Sequence, residues 1–341
     1  MQTALTGTRF GRYHVTAEIA RGSVYDLYRA TDAELGREVA LRVFGPTWGA
    51  DEGRFLDFLR DLRPLVSLDH PHIAKVYGFE EVAQTTALAT ELLEGPTLAD
   101  VIASRSQPSI ATGASGTRGL PIEEACPLAA QIVDALAAAH ECGVAHGNLS
   151  PSTISICNGV VRVRNFGFAQ LIPPEALRPW YPDAGSADVL HAHGLGIVLP
   201  GSALAWPLDV RAAYLSPEQR DGKPADARTD IWAFGCVFFE MLTGEPALAP
   251  VEQNSPWAGL PSLSPRWAGP SATLPVALRA TIAGCVSADP ADRIGDLSRV
   301  LPALRDPAIA IGALDPALVH AAEAATPEPE GRPRRSGRSR P

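Results

Sequence analysis

The 341-residue chain holds only five cysteines, Cys126, Cys142, Cys157, Cys236 and Cys285, and no two of them form a C-x-x-C pair. That spacing argues against a zinc site and against a disulfide framework, and free thiols in a reducing compartment are the expectation. No apolar run approaches the roughly 18 residues needed to cross a bilayer as a helix. The opening residues, "MQTALTGTRFGRYHV", lack a positive region followed by an apolar block, so no signal peptide is read there and a cytoplasmic location is expected. Positive charge is in short supply: the formal net charge is −9, which argues against sequence-independent binding to nucleic acid. No internal repeat is evident. What the chain does have is 46% apolar and 20% charged residues, the balance of a globular protein. Its length suits one two-lobed domain or two small ones.

Roughly the first 95 residues carry strand signals. "RYHVTAEIA" puts Tyr13, Val15, Ala17 and Ile19 on one face at period two. "VYDLYRATDAELGREVALRVF" reads as a hairpin with Gly36 in its turn. "GRFLDFLRDLRPLVSL" has helical spacing at Phe55, Phe58, Leu59, Leu62 and Leu65, and Pro64 is expected to kink or end that helix. "IAKVYGF" and "TALATELL" are further strands. From about Glu94 the character is mostly helical. "LADVIASR" is a short helix, "QPSIATGASGTRGL" a mobile loop, and "PIEEACPLAAQIVDALAAAHECG" a long helix with Pro121 at its start and Gly143 at its stop. "STISICNGVVRVRN" is a hairpin turning at Asn158-Gly159, and "DIWAFGCVFFEMLTG" an apolar helix ending at a glycine. The end of the chain, "TPEPEGRPRRSGRSRP", is read as a solvated disordered tail.

Seven segments stand in a telling order: "VALR", "LDHPHIAKVY", "HECGVAHGNLSPSTISI", "NFG", "YLSPEQ", "DIWAFGCVFFEMLTGEPAL" and "DPADRI". In order and spacing they resemble the eukaryotic-like serine/threonine protein kinase superfamily, over about Arg12 to Arg305. The resemblance implies an α+β bilobal fold, with a small five-stranded antiparallel sheet plus helix and a larger, mainly helical lobe. The implied layout is an N-terminal extension (1–11), a small lobe (12–93), a large lobe (94–310) with a flexible insert at 105–119 and a long activation segment at 165–218, and a C-terminal segment (311–341) ending in the basic tail.

Carried onto this sequence, the family's structural positions match and its chemical ones depart. His146 and Phe166 align, with Leu65 and Val76, to the apolar stack joining the lobes. Glu218 and Arg293 align with a buried ion pair, and Asp230 with the aspartate that holds the catalytic-loop backbone. In the glycine-rich loop only Gly22 remains; Ala20 and Tyr25 take the other glycine positions. The phosphate-binding strand lysine is Arg42 and its helix glutamate Asp61, and a bidentate Arg42–Asp61 pair is expected. Asn148 replaces the aspartate that accepts the substrate proton, and an amide has no useful basicity. Ser150 replaces the loop lysine, Thr153 the metal-binding asparagine, and Asn165 the aspartate that holds Mg²⁺, a cation that wants carboxylate oxygen. Gly147 takes the loop arginine's place. A nucleotide pocket would draw on Gly22, Leu27, Ala40, Arg42, Asp61, Thr90, Glu91, Leu93 and Ser155, the last a polar floor where an apolar one is usual.

The long segment offers Tyr181, Ser186, Ser202, Tyr214 and Ser216 for phosphorylation, with Arg211 where a threonine is usual. Its His191 and His193 are read as ordinary surface histidines rather than a metal pair. The resulting expectation is a bacterial-type pseudokinase: a scaffold or allosteric partner with no confident catalytic residue, no metal, and weak ATP binding at most. Its partner would be another protein, such as an active kinase, docked on the small lobe or on 165–218. Two alternatives stand beside it. One is a divergent serine/threonine kinase or other phosphoryl or nucleotidyl transferase using His146, Asp61 and Glu91. The other is a nucleotide-sensing module.

Overall fold

The computed structural model describes residues 5–21, 25–45, 52–106, 118–171, 213–247 and 274–306, without the side chains of Glu52 and Arg54. Gly22, the 172–212 stretch with His191 and His193, most of the 105–119 insert and the C-terminal tail lie outside them.

In the small lobe, β1 (Arg9–Phe10), β2 (Tyr13–Ala20), β3 (Tyr25–Asp32), β4 (Glu38–Phe44), β5 (Val76–Val82) and β6 (Thr85–Glu91) form one antiparallel sheet in the order β1-β2-β3-β4-β6-β5. Five of these strands match the expected sheet, and the two-residue β1 adds a sixth by pairing Phe10 with Tyr13. The period-two reading of β2 holds only for Tyr13 and Val15. Register shifts between Val15 and Ala17 and between Glu18 and Ala20 turn Ala17 and Ile19 outward and bury Ala20. An extra residue in a strand reverses which face the following side chains take. The β3–β4 hairpin turns on Asp32, whose Oδ1 accepts the Glu34 and Leu35 amides at 3.1 and 3.3 Å.

Alternation along β4 sets up the site. Val39, Leu41 and Val43 face an outer cluster with Tyr13, Val15 and Tyr28, while Ala40 and Phe44 face the inner core. Arg42 sits between the latter two and shares their face. Helix α1 (Glu52–Ser67) covers that face with Phe55, Phe58, Leu62 and Leu65. Pro64 lies within α1 without ending it. The carbonyl it deprives of a partner belongs to exposed Arg60, where water can replace the lost donor.

The large lobe contains α2 (Leu98–Ser106), α3 (Ile122–Glu141), the hairpin β7 (Ile154–Cys157) and β8 (Val160–Val163), α4 (Pro217–Arg220), α5 (Ala227–Thr243), α6 (Val276–Cys285) and α7 (Leu301–Arg305). Asn158 and Gly159 both take positive φ, 52° and 79°, as the tight β7–β8 turn demands. Helix α5 is buried nearly all round and runs through the centre of the lobe. It starts at Asp226, whose carboxylate accepts the Arg228 and Thr229 amides, and ends at Gly244 in the left-handed region at φ 71°. A continuous apolar cluster passes from Phe58, Leu65 and Val76 through Phe166 to Ile154 and Phe234, so the two lobes share one core. Among the described residues no helix is long and apolar enough to cross a membrane, and all five cysteines are free.

Gly244 gives a direct check on this packing. A Cβ there would lie 2.5 Å from the Arg118 carbonyl carbon, and its φ disfavours any L side chain. Gly244→Ala is therefore expected to cost about 1–3 kcal/mol in urea unfolding, with the m-value unchanged.

Candidate active-site cleft

The loop carrying His146 and Asn148 is held from below by α5. Asp230, fully buried, accepts the His146 amide on Oδ2 and the Gly147 amide on Oδ1, both at 2.7 Å, and Oδ2 also lies 2.8 Å from His140 Nε2. The His146 ring has no free nitrogen. Nδ1 accepts the Asn148 amide at 3.1 Å, so Nε2 carries the proton and donates to the Arg164 carbonyl at 2.9 Å. Burial pushes its pKa down and keeps it neutral. His146 is thus held in place through both ring nitrogens. Its ring lies 4.7 Å from that of Phe166, which shares the apolar cluster with Leu65 and Val76.

Thr153 does not face a metal position. Its hydroxyl accepts the Ser150 amide at 3.0 Å and donates to the Ser150 carbonyl at 2.9 Å, closing the 3₁₀ turn Pro151–Thr153 on itself. Ser150 Oγ lies 2.9 Å from Ser152 Oγ, and Asn148 is buried.

The expected Arg42–Asp61 pair does not form. Arg42 donates instead from Nη1 to Thr90 Oγ1 at 2.6 Å and from Nη2 to Asn165 Oδ1 at 2.9 Å. Asp61 accepts from Gln170 Nε2 and from Arg60 Nε, each at 3.0 Å. The reason is geometric. The 3₁₀ turn Phe168–Leu171 packs against α1 and brings Gln170 to Asp61, while Asn165, at φ 67°, turns its amide oxygen toward the guanidinium. Asparagine tolerates that left-handed backbone better than most residues.

Aromatic rings fill the space under the sheet. Phe168 lies 5.6 Å from Tyr25, 6.5 Å from Phe44 and 5.1 Å from Phe58 between ring centres, and the Arg42 guanidinium is 5.7 Å from both the Tyr25 and Phe168 rings. The positions that would sandwich an adenine are buried, with Leu27 8%, Ala40 6% and Ser155 2% exposed. In the strand connecting the lobes, the Glu91 side chain takes the Lys75 amide at 3.1 Å and lies 3.4 Å from Arg162, and Leu93 is half-buried.

The two positions at which the resemblance expects metal ligands are both engaged within the protein. The Asn165 oxygen is taken by Arg42, the Thr153 hydroxyl by its own turn, and neither is anionic. Among the described residues no group of His, Cys, Asp and Glu is arranged to hold a metal ion.

Farther down, Arg293 grips Glu218 with two parallel bonds of 2.5 and 2.7 Å, and its guanidinium lies 5.1 Å from the Trp232 ring. Burial of Glu218 opposes its ionisation, yet the Arg293 hydrogen bonds and neighbouring donors outweigh it and hold the carboxyl below its usual 4.5. Gln219 Nε2 donates to the Gly147 carbonyl at 2.7 Å and ties this region to the loop.

The sequence reading missed Phe44, Arg164, Phe168 and Gln170. The signal for Phe44 was its alternation with Arg42 on β4. Nothing local marked the other three, which follow from how the chain continues around Asn165.

Antiparallel sheet, covering helix, a loop anchored from a buried central helix and a lobe-joining apolar stack together define a protein-kinase fold. Residues 13–299 match the protein kinase domain, and the chain belongs to that family. The probable serine/threonine-protein kinase CE0033 of Corynebacterium efficiens is 31% identical over 252 residues, covering 72% of this chain and 32% of that protein. The serine/threonine-protein kinase pkn2 of Myxococcus xanthus is 29% identical over 250 residues, covering 72% and 26%. The chain therefore spans about a third or less of the length of these relatives. The crystal structure of the Mycobacterium tuberculosis PknI kinase domain shares the fold, with TM-score 0.63 at 20% identity over 90% of this chain and 99% of that one.

Two measurements check the site. In double-mutant cycles, Arg42→Ala and Asp61→Ala are expected to be additive within about 0.5 kcal/mol, whereas Arg42→Ala and Asn165→Ala couple by more than that. Glu218→Ala, which strands a buried guanidinium, is expected to cost about 3–5 kcal/mol. Because the folded Glu218 pKa is depressed, the pair's contribution is full above the ordinary value of 4.5 and is lost as pH falls through the lowered one. The stability difference between wild type and variant should therefore shrink on acidification below that value.

Proposed function

We propose that this kinase-fold domain does not transfer phosphoryl groups and serves as a scaffold or allosteric signalling partner, a pseudokinase. The observation that carries the reading is the Arg42 guanidinium bridging Thr90 and Asn165, because the group that would hold phosphate and the group that would hold metal are bonded to each other. Asn148 adds the loss of a general base, typically worth about 10²–10⁴ in rate. Groups that act as a unit leave little residual activity when several are replaced together. The partner is a protein that docks on the small lobe or on the 165–218 segment, of which 172–212 lie outside the described residues.

A second reading, an active divergent serine/threonine kinase, draws support from the names of the relatives, which are serine/threonine kinases by description. The two part in one assay. Labelled ATP with Mg²⁺ or Mn²⁺ and protein acceptors is expected to give no incorporation above a heat-denatured control. Incorporation by the wild type that Asn165→Ala lacks would establish the kinase reading instead.

A further inference from the structure

We propose that His70 is a proton-sensitive latch at the joint between the lobes, holding the segment from Leu68 to Lys75 on α3 while its ring is neutral and releasing it on protonation. That segment joins α1 to β5 and is bound to the large lobe on two sides. Against β8, the Ala74 amide donates to the Val163 carbonyl and the Val163 amide to the His72 carbonyl, each at 2.8 Å. Arg162 Nη1 reaches the His70 and Ile73 carbonyls, both at 3.3 Å. Against α3, His70 and His72 both face the Asp134 carboxylate.

The two rings present different nitrogens to that carboxylate. His70 Nδ1 accepts the His72 amide at 3.2 Å, so in the neutral ring Nε2 carries the proton and donates to Asp134 Oδ2 at 3.3 Å. His72 Nδ1 lies 3.2 Å from the Val161 carbonyl, which can only accept, so Nδ1 carries the proton and a bare Nε2 stands 4.0 Å from the same Oδ2. A second proton on His72 adds a donor facing Asp134 and breaks nothing. A second proton on His70 can go only to Nδ1, where it points at the His72 N–H and ends the bond that closes the turn around Pro71.

The surroundings of His70 resist that proton as well. Asp134 faces it from α3, Arg162 from β8 and His72 from its own segment. Glu91, at the end of β6, is engaged by Arg162 at 3.4 Å, and Lys75 by the Leu68 carbonyl at 2.9 Å and by Asp69 at 3.6 Å. Burial lowers the His70 pKa from its ordinary 6.5, Asp134 pulls it back up, and His72 and Arg162 lower it again. The folded value is the lower one, so the latch contributes fully above 6.5 and is lost as pH falls through the depressed value. Protonation thus unfastens a segment shared by α1 and β5, and mild acid leaves the small lobe less firmly held on the large one. The latch acts whether or not the domain transfers phosphoryl groups and is read without nucleotide, so either reading can fail alone.

The experiment is hydrogen exchange of the full chain at about pH 7.5 and about pH 5.5, corrected for the intrinsic pH dependence of exchange, with NMR spectra of the histidine ring nitrogens through the same range. In the wild type the amides of His72, Ala74 and Val163 are expected to lose about three- to tenfold of their protection on acidification. His70 is expected to show a bare Nδ1 and to titrate below 6.5. His70→Asn keeps an acceptor for the amide two residues on but takes no proton, so its protection should stay level. His72→Asn should retain the wild-type loss. Unchanged protection in the wild type, a loss that persists in His70→Asn, or one that disappears only in His72→Asn would overturn the latch. Should His70→Asn fail to fold, the wild-type ring spectrum decides: a protonated Nδ1 at neutral pH, or titration at or above 6.5, sinks it.

Discussion

A charge that cannot be neutralised, buried between the lobes, governs this structure. Arg42 lies on the inner face of β4 because strand alternation puts it there, between Ala40 and Phe44. A lysine at that position is a compact point charge on a flexible stem. The guanidinium is a rigid fork with more donors to satisfy. It reaches Thr90 on one side and Asn165 on the other, and so links the small-lobe sheet directly to the segment after β8. Beside that link Asp61 is bonded to Gln170, and the Phe168 ring packs under the sheet against Tyr25 and Phe58.

The scaffold beneath is intact. Asp230 holds the loop by two backbone amides, Glu218 and Arg293 make their bidentate pair, and the His146 ring packs at a tilt against Phe166. Each of these interactions needs a charge or ring at a fixed place in the core, and none requires nucleotide. The positions that depart from the family's usual residues, Arg42, Asn148, Ser150, Thr153 and Asn165, are ones that the resemblance assigns to phosphate, metal or proton. In the cleft above that scaffold, Arg42 is bonded to Thr90 and Asn165.

Much of this was legible in the chain. The hairpins at Gly36 and Asn158-Gly159 were marked by turn chemistry, α3 by its punctuation, and the neutral groups at Asn148, Thr153 and Asn165 by their places in ordered motifs. Other readings failed for physical reasons. The outward turn of Ala17 and Ile19 comes from register shifts in β2, which local alternation does not encode. Of the two outcomes read for Pro64, the ending of α1 did not occur, because the carbonyl it frees lies on an exposed residue. The Arg42–Asp61 pair was a sound inference from charge and reach, and it lost to a neutral acceptor.

That last case divides what the sequence determined from what folding decided. The sequence determined the family, the order of elements, and the identity of every group in the cleft, because these depend on residue type and spacing along the chain. It also determined that no carboxylate stands at Asn148 or Asn165. Which partner Arg42 takes was decided only in three dimensions. The choice is a competition among groups more than a hundred residues apart in the chain, Asn165 and Gln170 among them. It is settled by the backbone angle at Asn165 and by the packing of Phe168 against α1, neither of which exists until the lobes have closed on each other.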